Sequence, residues 1–237
     1  MAPSAYHPAV LIAGIGEGFG LALAKAFAGA GYDVIGLSRS GRCDPAAAAE
    51  TVPHGRSYLP LICDVTDETA IARLLAPHAA RIEVAIYNAH HLVIAPFLDT
   101  GASDFAKAMA INCGGAVAMA RALLPAMLAR GKGTLILTGA TAARRASAGF
   151  AALAMSKFAL RALAQSLARE YGPKGIHVTH MVVDGLIDEP QTHRRFADRT
   201  SAMIDADALA ATYLSIMRQP PSTWTHEIDV RPSSGKF

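Results

Sequence analysis

Two rhythms of apolar and polar positions alternate along this chain. Seven short runs read as strands, most of them almost continuously apolar: Ala9–Gly14, Asp33–Ser38, Ser57–Cys63, Ile82–Asn88, Gly133–Thr138, His177–Val183 and Glu227–Val230. Runs this short, with few polar interruptions, predict strands buried on both faces of a parallel sheet. Between them lie longer stretches with a helical rhythm, near residues 18–30, 67–79, 103–130, 149–171 and 205–218. Strand–helix alternation predicts βαβ units and an α/β fold: a doubly wound parallel sheet of about seven strands, flanked by helices, in a single domain over 1–237. Glycines or a Gly-Pro pair close several helices, at Gly29-Ala30-Gly31, Gly131 and Gly172-Pro173. The segment 40–56 is weakly patterned and reads as a short helix or loop. The segment 184–204 follows the end of a strand, where open α/β sheets bind ligand, and reads as a substrate lid.

The stretches 103–130 and 149–171 carry small or apolar residues on nearly every face. Such helices need cover on all sides. The sheet supplies one side, and a second copy of the chain supplies the other, which predicts a homodimer or homotetramer built through these two helices. The apolar region 109–129 is interrupted by Asn112, Arg121 and Pro125, so it reads as a core helix and no membrane association is expected.

Composition narrows the classes further. The chain has 237 residues, 52% hydrophobic and 17% charged, which fits a folded globular protein. The net charge is only +3, and the basic pairs Arg144-Arg145 and Arg194-Arg195 stand apart without interleaved aromatics. Nucleic acid is therefore not an expected partner. Three cysteines (Cys43, Cys63 and Cys113) form no CxxC, and the first residues have no positively charged region before the apolar run. Reduced thiols and a cytoplasmic location are expected. No metal site is expected: His177 and His180 lie an odd number of residues apart on one strand and point to opposite faces.

The richest local pattern is Ala13-Gly14-Ile15-Gly16-Glu17-Gly18-Phe19-Gly20, set between the first strand and the first helix. Glycines there admit positive φ and close approach of the backbone to a ligand. The free N–H groups and dipole of the helix start then favour an anion such as a diphosphate.

The spacing Gly14-xxx-Gly18-x-Gly20 resembles the cofactor motif of the short-chain dehydrogenase/reductase family, and the resemblance runs nearly the whole chain. Asp64-Val65 resembles that family's adenine-contacting pair, and Tyr87-Asn88-Ala89-His90 its Asn-Asn-Ala-Gly motif with two positions changed. Asn112 resembles its helix-bending active-site Asn, and Ser156-Lys157 the end of its Tyr-x-x-Ser-Lys motif. The resemblance implies a Rossmann-like fold and a nicotinamide cofactor. It implies cofactor contacts at Gly14, Gly18, Phe19, Gly20, Ser38, Arg39, Asp64, Val65, Asn88, Ala89, Lys157, Gly185 and Ile187. Tyr87, at a strand end, is expected to pack under the adenosine.

Ser38 stands where NAD-preferring folds carry an acid for the ribose hydroxyls. Arg39 follows it, and a guanidinium suits a 2′-phosphate. These two residues predict NADP(H) over NAD(H), and Glu17 near the phosphate loop argues mildly against.

The resemblance also implies a deficit. Counting back from Lys157 puts Leu153 at the family's catalytic Tyr position and Ala140 at its Ser position; neither side chain can hydrogen bond. After the sixth strand the family's Pro-Gly is Asp184-Gly185, and Glu189 falls where a Thr often contacts the cofactor. Losing general acid–base assistance alone costs about 10²–10⁴-fold in rate. Candidate replacements are His90 or His91 after the fourth strand, Asp184, the hydroxyls of Thr138, Thr141 and Ser147, and Lys157 itself if burial lowers its pKa. Lys157, Asn112, His91 and Asp184 form the candidate catalytic set. Three functions stay open on this evidence. The first is an NADP(H)-dependent oxidoreductase of a small carbonyl or alcohol substrate with a non-standard proton route. The second is a dinucleotide-binding pseudoenzyme serving as sensor or dimer partner. The third is an isomerase or lyase on the same scaffold.

Overall fold

A computed structural model describes residues 7–40, 55–197 and 202–234. Its elements run β1 (Ala9–Ala13), α1 (Phe19–Gly29), β2 (Asp33–Ser38), β3 (Tyr58–Ile62), α2 (Glu68–Leu75), β4 (Ile82–Tyr87), α3 (Ala102–Met109), α4 (Gly115–Arg130), β5 (Gly133–Thr138), α5 (Ala151–Tyr171), β6 (Ile176–Val183), β7 (Leu186–Ile187), α6 (Pro190–Arg195), β8 (Met203–Ile204), α7 (Ala206–Met217) and β9 (Glu227–Val230). Seven strands pair in parallel in the order β3-β2-β1-β4-β5-β6-β9, as a Rossmann-like sheet. The order reverses between β1 and β4, which opens a crevice at their C-terminal ends.

Burial explains the apolar runs. β1, β2, β5 and β6 are buried almost throughout, whereas β3, at the edge, is half exposed. Pro60 is tolerated in β3 because an edge strand has one side free of ladder bonds. One face of the sheet packs on α2, α4 and α5 through Ile71, Leu75, Leu123, Met127 and Leu160. The other packs on α1 and α7 through Phe19, Leu23, Phe27, Leu209 and Tyr213.

Three expectations change in detail. The helix expected over 67–79 stops at Leu75: Ala76 keeps helical dihedrals as its C-cap, but Pro77, two residues after Leu75, has no N–H to continue the ladder. The stretch 103–130 is two helices joined by a wider π turn, Ala110–Gly114. Within the segment 184–204, read only as a lid, β7 and β8 form a separate two-stranded parallel pair, and α6 lies between them. Two-residue strands are too short to show a period in sequence. The segment 40–56 lies outside the described residues apart from Ser40, Gly55 and Arg56.

The combined helix over 102–130 is long and apolar enough to cross a membrane, with a mean hydropathy of 1.4 in its most apolar window. More than half of that window (56%) is buried inside the protein, which is the situation of a core helix. Apolar side chains remain uncovered beside it, among them Leu98 at 94% exposure, Phe97, Met109, Met155 and Phe158.

Candidate active site

The glycine turn leaves β1 at Ala13 and is gripped by its neighbours. Gly14 has φ +89°, and a Cβ there would lie 2.4 Å from the Ala89 nitrogen. Only a bare backbone fits. Gly14 N–H donates to Leu37 O at 2.8 Å, and the Asn88 side-chain amide donates to Gly14 O at 3.2 Å. The turn is thus fixed between β2 and β4, at the mouth of the crevice.

That crevice is a cleft of about 300 Å³, lined by Gly14, Gly18, Gly20, Ser38, Arg39, Val65, Asn88 and Ala89 among others. These are residues the sequence nominated for the cofactor. Asp64 is not in the wall. Its carboxylate accepts from the Thr66 N–H and hydroxyl at 2.9 and 2.8 Å. The backbone bond to Thr66 is the main cause holding its pKa below the usual value. Its neighbours Cys63 and Val65 line the cleft instead.

A second cavity of about 200 Å³ adjoins the first, and Asn88, His90, Glu189 and Gln191 line both. Phe19, Ala140, Leu153, Lys157, Gly185 and Ile187 belong to this second wall. Lys157, on α5, is 3% exposed. Its Nζ donates to Thr138 O at 2.7 Å, and burial lowers its pKa from 10.5 to about 8. His90 borders both cavities and is exposed to solvent. Desolvation within the crevice, reinforced by Lys157, lowers its pKa. Among the described residues that line this cavity there is no tyrosine or serine.

Asn112 is fully buried and works as a clamp. Its carbonyl accepts from His91 N–H at 2.6 Å. Its amide donates to His91 O at 3.0 Å and to the Ser156 hydroxyl at 2.8 Å. The loop after β4 is thereby tied to α5, one residue from Lys157. The π turn that aims Asn112 inward leaves the Ile111 carbonyl needing a donor, which the Tyr87 hydroxyl supplies. Burial raises the Tyr87 pKa and keeps it neutral. Tyr87 therefore packs in the core beneath the helix and not under an adenosine.

The other candidate groups lie apart. The His91 ring is in neither cavity wall, and the site uses its backbone. Asp184 accepts from the Thr141 hydroxyl and pairs with Arg231 at 3.2 Å, in a third cavity shared with Arg144 and Asp229. Thr138 turns its hydroxyl to Tyr213 at 3.0 Å. His177 stacks on Trp224, while His180 contacts Glu227 at 3.0 Å. Among the described residues no three His, Cys, Asp or Glu side chains are grouped to hold a metal.

Sequence reasoning left two wall residues without a committed role. His90 was weighed beside His91, and a one-residue step at a strand end decides which ring faces the crevice. Glu189 reaches back across the chain, where its carboxylate accepts from Phe19 N–H at 2.9 Å. A carboxylate on the start of α1 shows that this helix end accepts an anion, the chemistry a diphosphate would need there.

Comparison with known proteins agrees with that geometry. A family profile described as short chain dehydrogenase matches residues 8–199. The chain is 30% identical to oxidoreductase UcpA of Escherichia coli K12, over 76% of this chain and 69% of that one. It is 26% identical to 2-dehydro-3-deoxy-D-gluconate 5-dehydrogenase of Pseudoalteromonas atlantica, over 82% and 78%. The crystal structure of a short-chain dehydrogenase from Rhodopseudomonas palustris superposes with a TM-score of 0.82 at 34% identity, covering 95% of this chain and 98% of that one. The chain belongs to the short-chain dehydrogenase/reductase family of oxidoreductases.

Proposed function

We propose that this protein is an NADP(H)-dependent oxidoreductase of a small carbonyl or alcohol, in which Lys157 moves the proton that a tyrosine moves elsewhere in the family. The observation carrying this reading is a buried amine with a pKa of about 8 in the wall of a cavity continuous with the glycine cleft. A bound nicotinamide dinucleotide supplies the hydride chemistry. The chain's own residues do the rest. The α1 amides would hold the diphosphate, Ser38 and Arg39 would receive a 2′-phosphate, and Asn88, Ala89, Gly185 and Ile187 would face the nicotinamide end. One Lys157 N–H is spent on Thr138 O; the ammonium has others for a ribose hydroxyl or a substrate oxygen. Its proton is available for carbonyl reduction below about pH 8, and its lone pair for alcohol oxidation above it.

The rival is a dinucleotide-binding pseudoenzyme. Leu153 and Ala140, beside Lys157, favour it because neither can polarise a carbonyl. A panel of small aldehydes, ketones and oxo acids, assayed by loss of nicotinamide absorbance, separates the two. Consumption of NADPH with any of them supports the oxidoreductase; tight binding without consumption across the panel supports the rival. Arg39 is exposed at the cleft, so Arg39→Ala is expected to weaken NADPH about 10–100-fold, the worth of a charge-assisted bond. NADH should be unaffected, and equal losses for both would remove Arg39 from cofactor choice.

The uncovered Phe97, Met109, Met155 and Phe158 support assembly through α3, α4 and α5 as a homodimer or homotetramer. The unpaired Cys63 and Cys113 support a reducing, cytoplasmic setting.

A further inference from the structure

The start of α1 already holds an anion, and that anion belongs to the chain. Glu189 is the residue before α6, yet its side chain makes no cap on that helix. It crosses instead to α1, where one carboxylate oxygen accepts from Phe19 N–H at 2.9 Å. The fit against Gly18 is close: a Cβ on that glycine would sit 2.2 Å from Glu189 Oε2 and 2.5 Å from Glu189 Cβ. The bare backbone that would admit a diphosphate is therefore filled by a carboxylate. Two further contacts hold the same strap down. Arg194 lies 3.8 Å from Glu17 of the glycine turn, and Arg195 donates to Leu92 O at 3.1 Å.

We propose that Glu189 is an internal competitor for the cofactor: its carboxylate occupies the diphosphate position on α1, and a dinucleotide binds only by displacing it and lifting the strap 186–196. This rests on reading the glycine cleft as the dinucleotide site. Two anions cannot share one helix start without strong repulsion. A ligand that selects the opened state has its apparent affinity reduced by the fraction of molecules that are open. Glu189 thus sets which ligands the cleft takes. Those bearing a phosphate at the α1 amides meet the competitor, whereas those confined to the Ser38–Arg39 end do not.

The test compares wild-type protein with Glu189→Gln and Glu189→Ala by isothermal titration. NADPH serves as the diphosphate ligand. Adenosine 2′-monophosphate, which has no diphosphate, serves as the ligand of the far end. Gln keeps the size and removes the charge; Ala removes the side-chain contact altogether. NADPH is expected to bind at least about tenfold more tightly to Glu189→Ala than to wild type, with Glu189→Gln between them, and adenosine 2′-monophosphate is expected to bind all three alike. NADPH affinities within twofold of one another across the three proteins would overturn the inference while leaving the cleft assignment intact. An equal gain for both ligands would overturn it as well, since the effect would not be local to α1. If NADPH binds none of the three, the cleft assignment itself falls, and the competitor falls with it.

Discussion

Replacing Lys157 with methionine is expected to yield a more stable protein that reduces carbonyls far more slowly. Lys157 is buried, and no carboxylate lies within salt-bridge reach among the described residues. Its ammonium is held mainly by the Thr138 carbonyl. Burial lowers its pKa from 10.5 to about 8. The folded state therefore binds fewer protons than the unfolded state between about pH 8 and 10.5, so this group's contribution to stability rises with pH across that window. Below pH 8 the destabilisation is complete, roughly 3 kcal/mol at about 1.4 kcal/mol per pKa unit. Methionine has similar length and no charge; it gives up the bond to Thr138, worth about 1 kcal/mol. The net gain of about 2 kcal/mol should raise Tm by roughly 4–8 °C at pH 7 in a chain of this size. Melts at pH 7 and near pH 10.5 check this, because the advantage should shrink at the higher value. Carbonyl reduction should fall by at least about 10²-fold in the same variant. In the unsubstituted protein kcat/KM for reduction should decline as pH rises through 8. A variant that melts lower at pH 7 would show that the ammonium is well paired, which the proton role does not allow.

The opposite experiment fills the space that Leu153 and Ala140 occupy. The double change Ala140→Ser with Leu153→Tyr puts a hydroxyl pair beside Lys157, at positions that already line the second cavity. Lys157 would lower the phenol pKa by proximity, and the serine would steady a developing alkoxide. Carbonyl reduction is expected to rise about 10²–10⁴-fold over the starting protein. The two residues should act together, so each single change should give much less than its share of the logarithmic gain. Initial rates with NADPH and a small ketone decide it. No gain in a folded, NADPH-binding double variant would mean that the cavity does not present a carbonyl to this wall at all.

How much of this was legible in sequence follows from the range of each interaction. Strand runs such as Gly133–Thr138 could be read because burial on both faces leaves a local, continuous apolar signature. The glycine turn could be read because its φ and its close contact with Ala89 forbid other residues at Gly14. Lys157 was legible through the resemblance of the adjacent pair Ser156-Lys157 to the end of a family motif. The misses are contacts between distant segments. Nothing around Glu189 announces that its carboxylate meets Phe19, 170 residues away. The assignment of Tyr87 failed because its partner carbonyl, Ile111 O, exists only once the π turn forms. The end of α2 was legible at Pro77 and was overrun by a helical rhythm that continued past it.

The central claim is that the glycine cleft and Lys157 together hold a nicotinamide dinucleotide with a 2′-phosphate. Titration of the protein with NADPH and with NADH, followed by nicotinamide fluorescence, tests it most directly. Saturable binding of NADPH at least about tenfold tighter than NADH is the result the geometry predicts. Absence of binding by either dinucleotide would contradict it.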